Sequence, residues 1–136
     1  MADSPSRIWF INRFFWPDHS ATSQILTDLA FDMAERKLDV HVIASRLAYD
    51  DPSAKLPAHE CVKGVTIHRV ATTRFGRSRL IGRACDYASF YVSTFFAAMR
   101  MVGRGETMVV KTDPPMLSIP LGLVARLKGA RQVNWL

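Results

Sequence analysis

Two short stretches of this chain carry residue types suited to holding a phosphate or a sugar. The first is FFWPDHSATSQ, residues 14–24, in which the small or hydroxyl-bearing Ser20, Ala21, Thr22 and Ser23 follow Pro17 and His19. Small side chains let an anion approach the backbone, and the unpaired N–H groups and dipole at a helix start attract it. The hydroxyls of Ser20, Thr22 and Ser23 add donors, or Ser20 and Thr22 simply cap the helix. His19 is a donor to a phosphate or sugar oxygen, or an exposed loop histidine. Glycines normally line such a junction, and this one has none. The second stretch is TDPP, Thr112 to Pro115. Asp113 there accepts a sugar hydroxyl or closes the turn before Pro114 and Pro115.

Other chemistries lack their signatures. No GxGxxG, Walker loop, Ser/His/Asp order or paired-carboxylate spacing is present, which leaves a dehydrogenase or a nucleotide hydrolase without support. Cys61 and Cys85 form no CxxC pair, and the four histidines are scattered in sequence, so neither a disulfide framework nor a metal site is signalled. The expectation is reduced thiols, no metal and no cofactor, with no catalytic residue identified.

Strands and helices must position the two stretches. RIWFINRFFW, Arg7 to Trp16, is rich in β-branched and aromatic residues and stops at Pro17, which reads as a buried strand. Ile25, Leu26, Leu29, Ala30 and Met33 then recur at the spacing of one helical face, predicting a helix from about Ser20 to Arg36. DVHVIAS, residues 39–45, is a second strand; residues 46–63, with Pro52 and Pro57, read as a long loop; GVTIHRV holds a third strand at Val65 to Val70. A helix follows over roughly Ile81 to Val102, then a fourth strand in TMVVKT, Thr107 to Thr112. Pro114 and Pro115 suit the first turn of a last helix, with its face at Leu117, Leu121, Val124 and Leu127 and its stop at Gly129. RQVNWL, Arg131 to Leu136, begins a fifth strand.

This alternation predicts an α/β fold, a doubly wound parallel sheet with helices on both faces, in a single domain spanning residues 1–136. With the five strands in the order 3-2-1-4-5, the switch point lies between the first and fourth, where ligands of such sheets bind. That order brings the loops at Asn12 to Thr22 and Thr112 to Met116 together. A chain of 136 residues, 49% apolar, buries about two thirds of the surface it exposes when unfolded. Ending inside a core strand reads as the front half of a longer protein.

The net charge of +6 is local: residues 69–104 hold seven arginines and one acid, Asp86, while the remaining basic and acidic residues balance. TTRFGRSRLIGR, with Arg74, Arg77, Arg79 and Arg83, precedes the uncharged YASFYVSTFFAAM. That uncharged stretch is shorter than the roughly 20 residues needed to span a bilayer. Two readings stand: a surface contact with anionic headgroups, or a helix buried on the sheet beside a solvated arginine loop, with Phe90, Phe95 and Phe96 in the core. Nucleic acid is disfavoured, since the arginines sit in one connector without a binding module. MADSPSRIWF lacks the apolar core of a secretion signal, which predicts a cytoplasmic location.

FINRFFWPDHSATSQILTDLAFDMAERKLDVHVIAS, followed by KGVTIHRV, TDPPMLSIP and ARLKGARQVNWL, resembles the N-terminal half of bacterial family 4 glycosyltransferases. The similarity is to the subgroup that builds colanic acid, O-antigen and other exopolysaccharides, and covers nearly the whole chain in order. The resemblance implies one half of a GT-B fold, a Rossmann-like acceptor-side domain whose donor-binding partner domain follows it. It implies metal-free, retaining transfer from a nucleotide sugar to an acceptor, often a polyprenyl-diphosphate-linked glycan. The location implied is the cytoplasmic side of the inner membrane, peripheral to its anionic surface. By position, Pro17 to Thr22, with His19, Ser20 and Ala21, would border the donor diphosphate and acceptor, and Thr112, Asp113 and Pro114 would line the cleft. Relatives often carry Gly-Gly where this chain has Ser20 and Ala21. They also end the first helix in Arg-Gly-His where Lys37 and Leu38 follow Arg36, so the left-handed cap is here strained or differently built. The rival is a module without catalysis that binds a phosphorylated ligand or an anionic membrane.

Overall fold

The computed structural model describes residues 7–12, 15, 21–46, 58–70, 80–111 and 118–135. In chain order these form β1 (Ile8–Ile11), α1 (Ala21–Glu35), β2 (Val40–Ser45), β3 (His59–Val62), β4 (Val65–Val70), α2 (Leu80–Met101), β5 (Thr107–Lys111), α3 (Ser118–Lys128) and β6 (Arg131–Trp135). The strands make one sheet in the order β3-β4-β2-β1-β5-β6. All neighbours pair in parallel except β3 and β4, which are antiparallel. This is an α/β fold compatible with a Rossmann-like domain.

The observed strand order differs from the five-strand expectation because residues 59–62, read as loop, form a sixth strand at the edge. A two-residue turn makes the hairpin: Val62 pairs with Val65, and Lys63 and Gly64 both take positive φ, 50° and 86°. Two such residues match the right-handed twist of flanking antiparallel strands. Asn-Gly or Asp-Gly would have announced the turn, and Lys-Gly is a fainter signal.

Burial splits the core by sheet face. Phe10, Leu26, Ala30, Val40, Val42, Ala44, Val65 and Ile67 pack together beneath α1, which contacts β2 and β4. Trp9, Ile11, Ile43, Phe90, Met108, Val110, Leu121 and Val124 form the second cluster, beneath α2 and α3. β2 is buried at every position but His41 because helices cover both its faces.

Three expectations about faces change. Ile25 and Leu29 are 58% and 37% exposed, while Leu26 and Ala30 are fully buried. Successive helical residues are about 100° apart, and α1 is rotated so that the 26-30 row faces the sheet. Phe96 is 64% exposed although Phe90 is buried and Phe95 packs against the core. It shares the outward stripe Ala88, Val92, Phe96 and Arg100 of α2. On α3, Leu121 and Val124 are buried but Leu127 is 60% exposed, and Ala125 takes its place. The first strand is also shorter than expected, ending at Ile11.

The end of α1 is built with a left-handed residue other than glycine. Lys37 has φ 73°, its N–H bonds to Ala34 O at 3.0 Å, and the Leu38 N–H bonds to Met33 O at 3.2 Å. These two bonds make a Schellman cap, with Leu38 turned against the core below α1.

Candidate functional site

The path of the chain creates a switch point between β1 and β5. From β1 it passes to α1 on one face, and from β5 to α3 on the other. The two strands are parallel neighbours, with Ile11 opposite Val110, so their carboxyl ends lie side by side at the same edge. Crevices of this kind at the carboxyl ends of strands are where open α/β sheets bind ligands.

The first of these loops is anchored at its start. Asn12 is fully buried, its N–H donating to Ile43 O at 3.2 Å. Phe15 is 2% exposed and meets the edge of Phe31 on α1, with ring centroids 6.3 Å apart. The chain thus turns toward the α1 face within four residues of β1, and α1 begins at Ala21.

Of the residues singled out from the sequence, Ala21 and Thr22 are the first two residues of α1, which places their backbone at the helix start. Arg83 lies in the first turns of α2. The side chains of these three, and Pro17, His19, Ser20, Thr112, Asp113, Pro114, Arg74, Arg77 and Arg79, lie outside the described residues. Arg69, one of the seven arginines of the basic stretch, is turned inward. Its side chain is 1% exposed and bonds Glu60 at 3.2 Å, so it belongs to the hairpin rather than to a basic surface. Burial lowers its pKa and the Glu60 carboxylate opposes that shift.

Sequence reasoning missed a polar network that runs from the amino ends of β1 and β2 out to β4 and β3. The Arg7 guanidinium donates to Asp39 Oδ2 at 3.0 Å, and Asp39 Oδ1 lies 3.0 Å from His41 Nε2. His41 Nδ1 lies 3.1 Å from His68 Nε2, and His68 Nδ1 lies 3.3 Å from His59 Nδ1. The His41 and His68 rings stack at 5.3 Å, and Trp9 packs on His41 at 4.7 Å. Three of the four histidines that look scattered in sequence therefore form one chain across β2, β4 and β3. The signal available was their period: His41 and His68 occupy same-face positions in strands that become neighbours, with Ile43 opposite His68.

Electrostatics follow from this burial. Desolvation pushes His68 down to about 4, helped by the neighbouring His41 and His59 and by Arg7. Desolvation also lowers His41, against the attraction of Asp39. Burial alone would raise Asp39, but the Arg7 hydrogen bond and the His41 and Arg7 charges hold it below the usual carboxylate range. Among the described residues no group of three His, Cys, Asp or Glu side chains is arranged to hold a metal ion.

Elsewhere, a shallow groove of about 560 Å³ runs between α3 and edge strand β6, lined by Ile119, Leu123, Arg126, Ala130 and Gln132. Among the described residues no helix is long and apolar enough to cross a membrane. No family model matches the chain, and no curated protein matches it.

Proposed function

We propose that the chain is the acceptor-side, Rossmann-like domain of a retaining family 4 glycosyltransferase of GT-B architecture. In the complete enzyme it acts with a second domain that binds the nucleotide sugar. The reaction class is transfer of a sugar to a glycan acceptor carried on polyprenyl diphosphate, in cell-surface polysaccharide synthesis at the inner membrane. The observation that carries this reading is the adjacency of β1 and β5 in parallel register, with Ile11 opposite Val110, so that the carboxyl ends of the two strands adjoin at a switch point. The ordered resemblance of FFWPDHSATSQ and TDPP to cleft loops of that family supports it.

Chemistry would be electrostatic. The N–H groups at the start of α1, with the hydroxyls of Ser20 and Thr22, stabilise the departing nucleotide diphosphate while an acceptor hydroxyl attacks from the same face. Arg74, Arg77, Arg79 and Arg83 draw the domain to anionic headgroups, and the exposed Val92 and Phe96 of α2 offer apolar contact nearby in the chain.

The test is transfer from a panel of nucleotide sugars to lipid-linked acceptors by the full-length protein. Replacing Ser20 and Thr22 together by leucine should depress turnover by about a hundredfold, the scale of losing a leaving-group donor. Unchanged turnover would overturn the assignment of the loop. Binding of phosphorylated ligand without transfer by the unaltered protein would favour the module that does no chemistry.

A further inference from the structure

The histidine chain spans β2, β4 and β3 on the sheet face below α2, and the glycosyl-transfer reading gives it no role. β3 is the edge strand and buries little: His59 and Cys61 are exposed, and Glu60 and Val62 are half-buried. Apart from its ladder with β4, it is tied by one polar contact on each face, Glu60 to Arg69 and His59 to His68. The second contact continues through His41 to Asp39 and Arg7.

The geometry fixes where the hydrogens sit. Asp39, ionised beside Arg7, accepts from His41 Nε2, so His41 Nδ1 is an acceptor. His68 Nε2 then donates to His41 Nδ1, which leaves His68 Nδ1 to accept from His59 Nδ1. With all three rings neutral, each contact contains one hydrogen and His59 Nε2 is the nitrogen left over for solvent. Because one ring nitrogen lies outside the contacts, the chain has room for one added proton with every contact still holding a single hydrogen. A second has no such place: it puts two N–H groups face to face in a contact of 3.1 or 3.3 Å.

We propose that the His59–His68–His41–Asp39 chain is an acid-sensitive latch on β3. It holds one proton beyond its neutral state, and the second releases the edge strand from β4. The charged and titratable groups around it are Arg7 before β1, Asp39 and His41 at β2, His59 and Cys61 on β3, His68 on β4 and Glu106 before β5. From α2, packed on the same face, the described titratable side chains are Cys85, Tyr91 and Arg100, of which Cys85 and Arg100 are exposed. Release exposes the backbone edge of β4, the position from which a sheet pairs with another strand.

The test is amide exchange and imidazole nitrogen NMR on the intact chain. At about pH 7.5, hydrogen should be found on Nε2 of His41 and His68 and on Nδ1 of His59. Between about pH 6 and pH 4, protection of the amides of residues 59–62, corrected for intrinsic exchange, should fall by about tenfold or more while that of Val42 and Phe10 persists. His68→Gln, whose amide bridges both neighbours without titrating, should flatten this dependence. The same pH response in wild type and His68→Gln would overturn the latch. If that variant does not fold, the wild type decides: any other tautomer pattern, or β3 protection unchanged to about pH 4, overturns it.

Discussion

The Trp9 indole N–H donates to Glu106 Oε1 at 2.8 Å, and the same oxygen accepts the Gly103 N–H at 2.7 Å. One carboxylate thus closes the turn that follows α2 and fastens it to β1 at the centre of the sheet, where Trp9 is 1% exposed. Glu106→Ala strands the buried indole donor and should cost about 1–3 kcal/mol in urea unfolding. Glu106→Gln keeps an acceptor and should cost clearly less, and equal losses in the two variants would show that the hydrogen bond to Trp9 is not the source.

Lys37 pays the steric cost of a left-handed cap, at φ 73°. Lys37→Gly removes the Cβ conflict while leaving the Leu38 N–H bond to Met33 O available. The variant should be more stable by about 1 kcal/mol, read as a higher denaturation midpoint at constant slope. A lower midpoint would mean that the lysine side chain contributes more than its backbone strain costs.

Glu60 is the described carboxylate partner of Arg69, which is nearly inaccessible to water. Glu60→Ala should destabilise by about 1–3 kcal/mol, because a buried guanidinium loses a charged acceptor, while Glu60 itself is partly exposed and solvent moderates the loss. Arg69→Leu together with Glu60→Leu should recover part of that stability. A double variant no better than the single one would place the effect outside this pair.

Stability should fall with acid in a defined window. His41 and His68 have folded pKa values below the 6.5 of an unfolded imidazole, that of His68 about 4. Below pH 6.5 the unfolded chain takes up protons that these two folded rings refuse, so their contribution is fully present above 6.5 and is lost as pH falls, that of His68 toward pH 4. Asp39 adds a second loss below its unfolded value of 3.8, as pH falls through its lower folded pKa. Urea midpoints should decline from pH 7 to pH 4, and His41→Gln with His68→Gln should flatten the upper part of that decline.

Leu121 and Phe90 lie fully buried between α2, α3 and the sheet. Leu121→Ala should cost about 2–5 kcal/mol, whereas Leu127→Ala, on the same helix but 60% exposed, should change stability by less than about 0.5 kcal/mol. Chemical denaturation of the two variants checks which face of α3 meets the core.

Element order and type were legible because apolar period is a local property. Leu26 with Ala30 and Met33 repeats at helical spacing, and VHVIAS and VTIHRV read as strands without reference to anything else. The long segment before Val65 was not legible as strand, since β3 buries almost no apolar surface and leaves the weak alternation of HECV. The rotation of α1, which exposes Ile25 and buries Leu26, was likewise hidden, because neighbouring apolar residues on a helix are equivalent until a sheet is placed beneath one of them.

For the candidate site, the sequence by itself determined the hydroxyl-bearing residues around the start of α1, the TDPP stretch after β5 and the local excess of arginine. Strand register decided what these and other residues stand beside. It sets the departure from β1 next to that from β5, and it gathers His41, His59 and His68 from positions up to 27 residues apart into one chain. Composition and period act over a few residues, whereas which side chains meet across a sheet follows from the pairing of strands whose separation in sequence carries no trace of it.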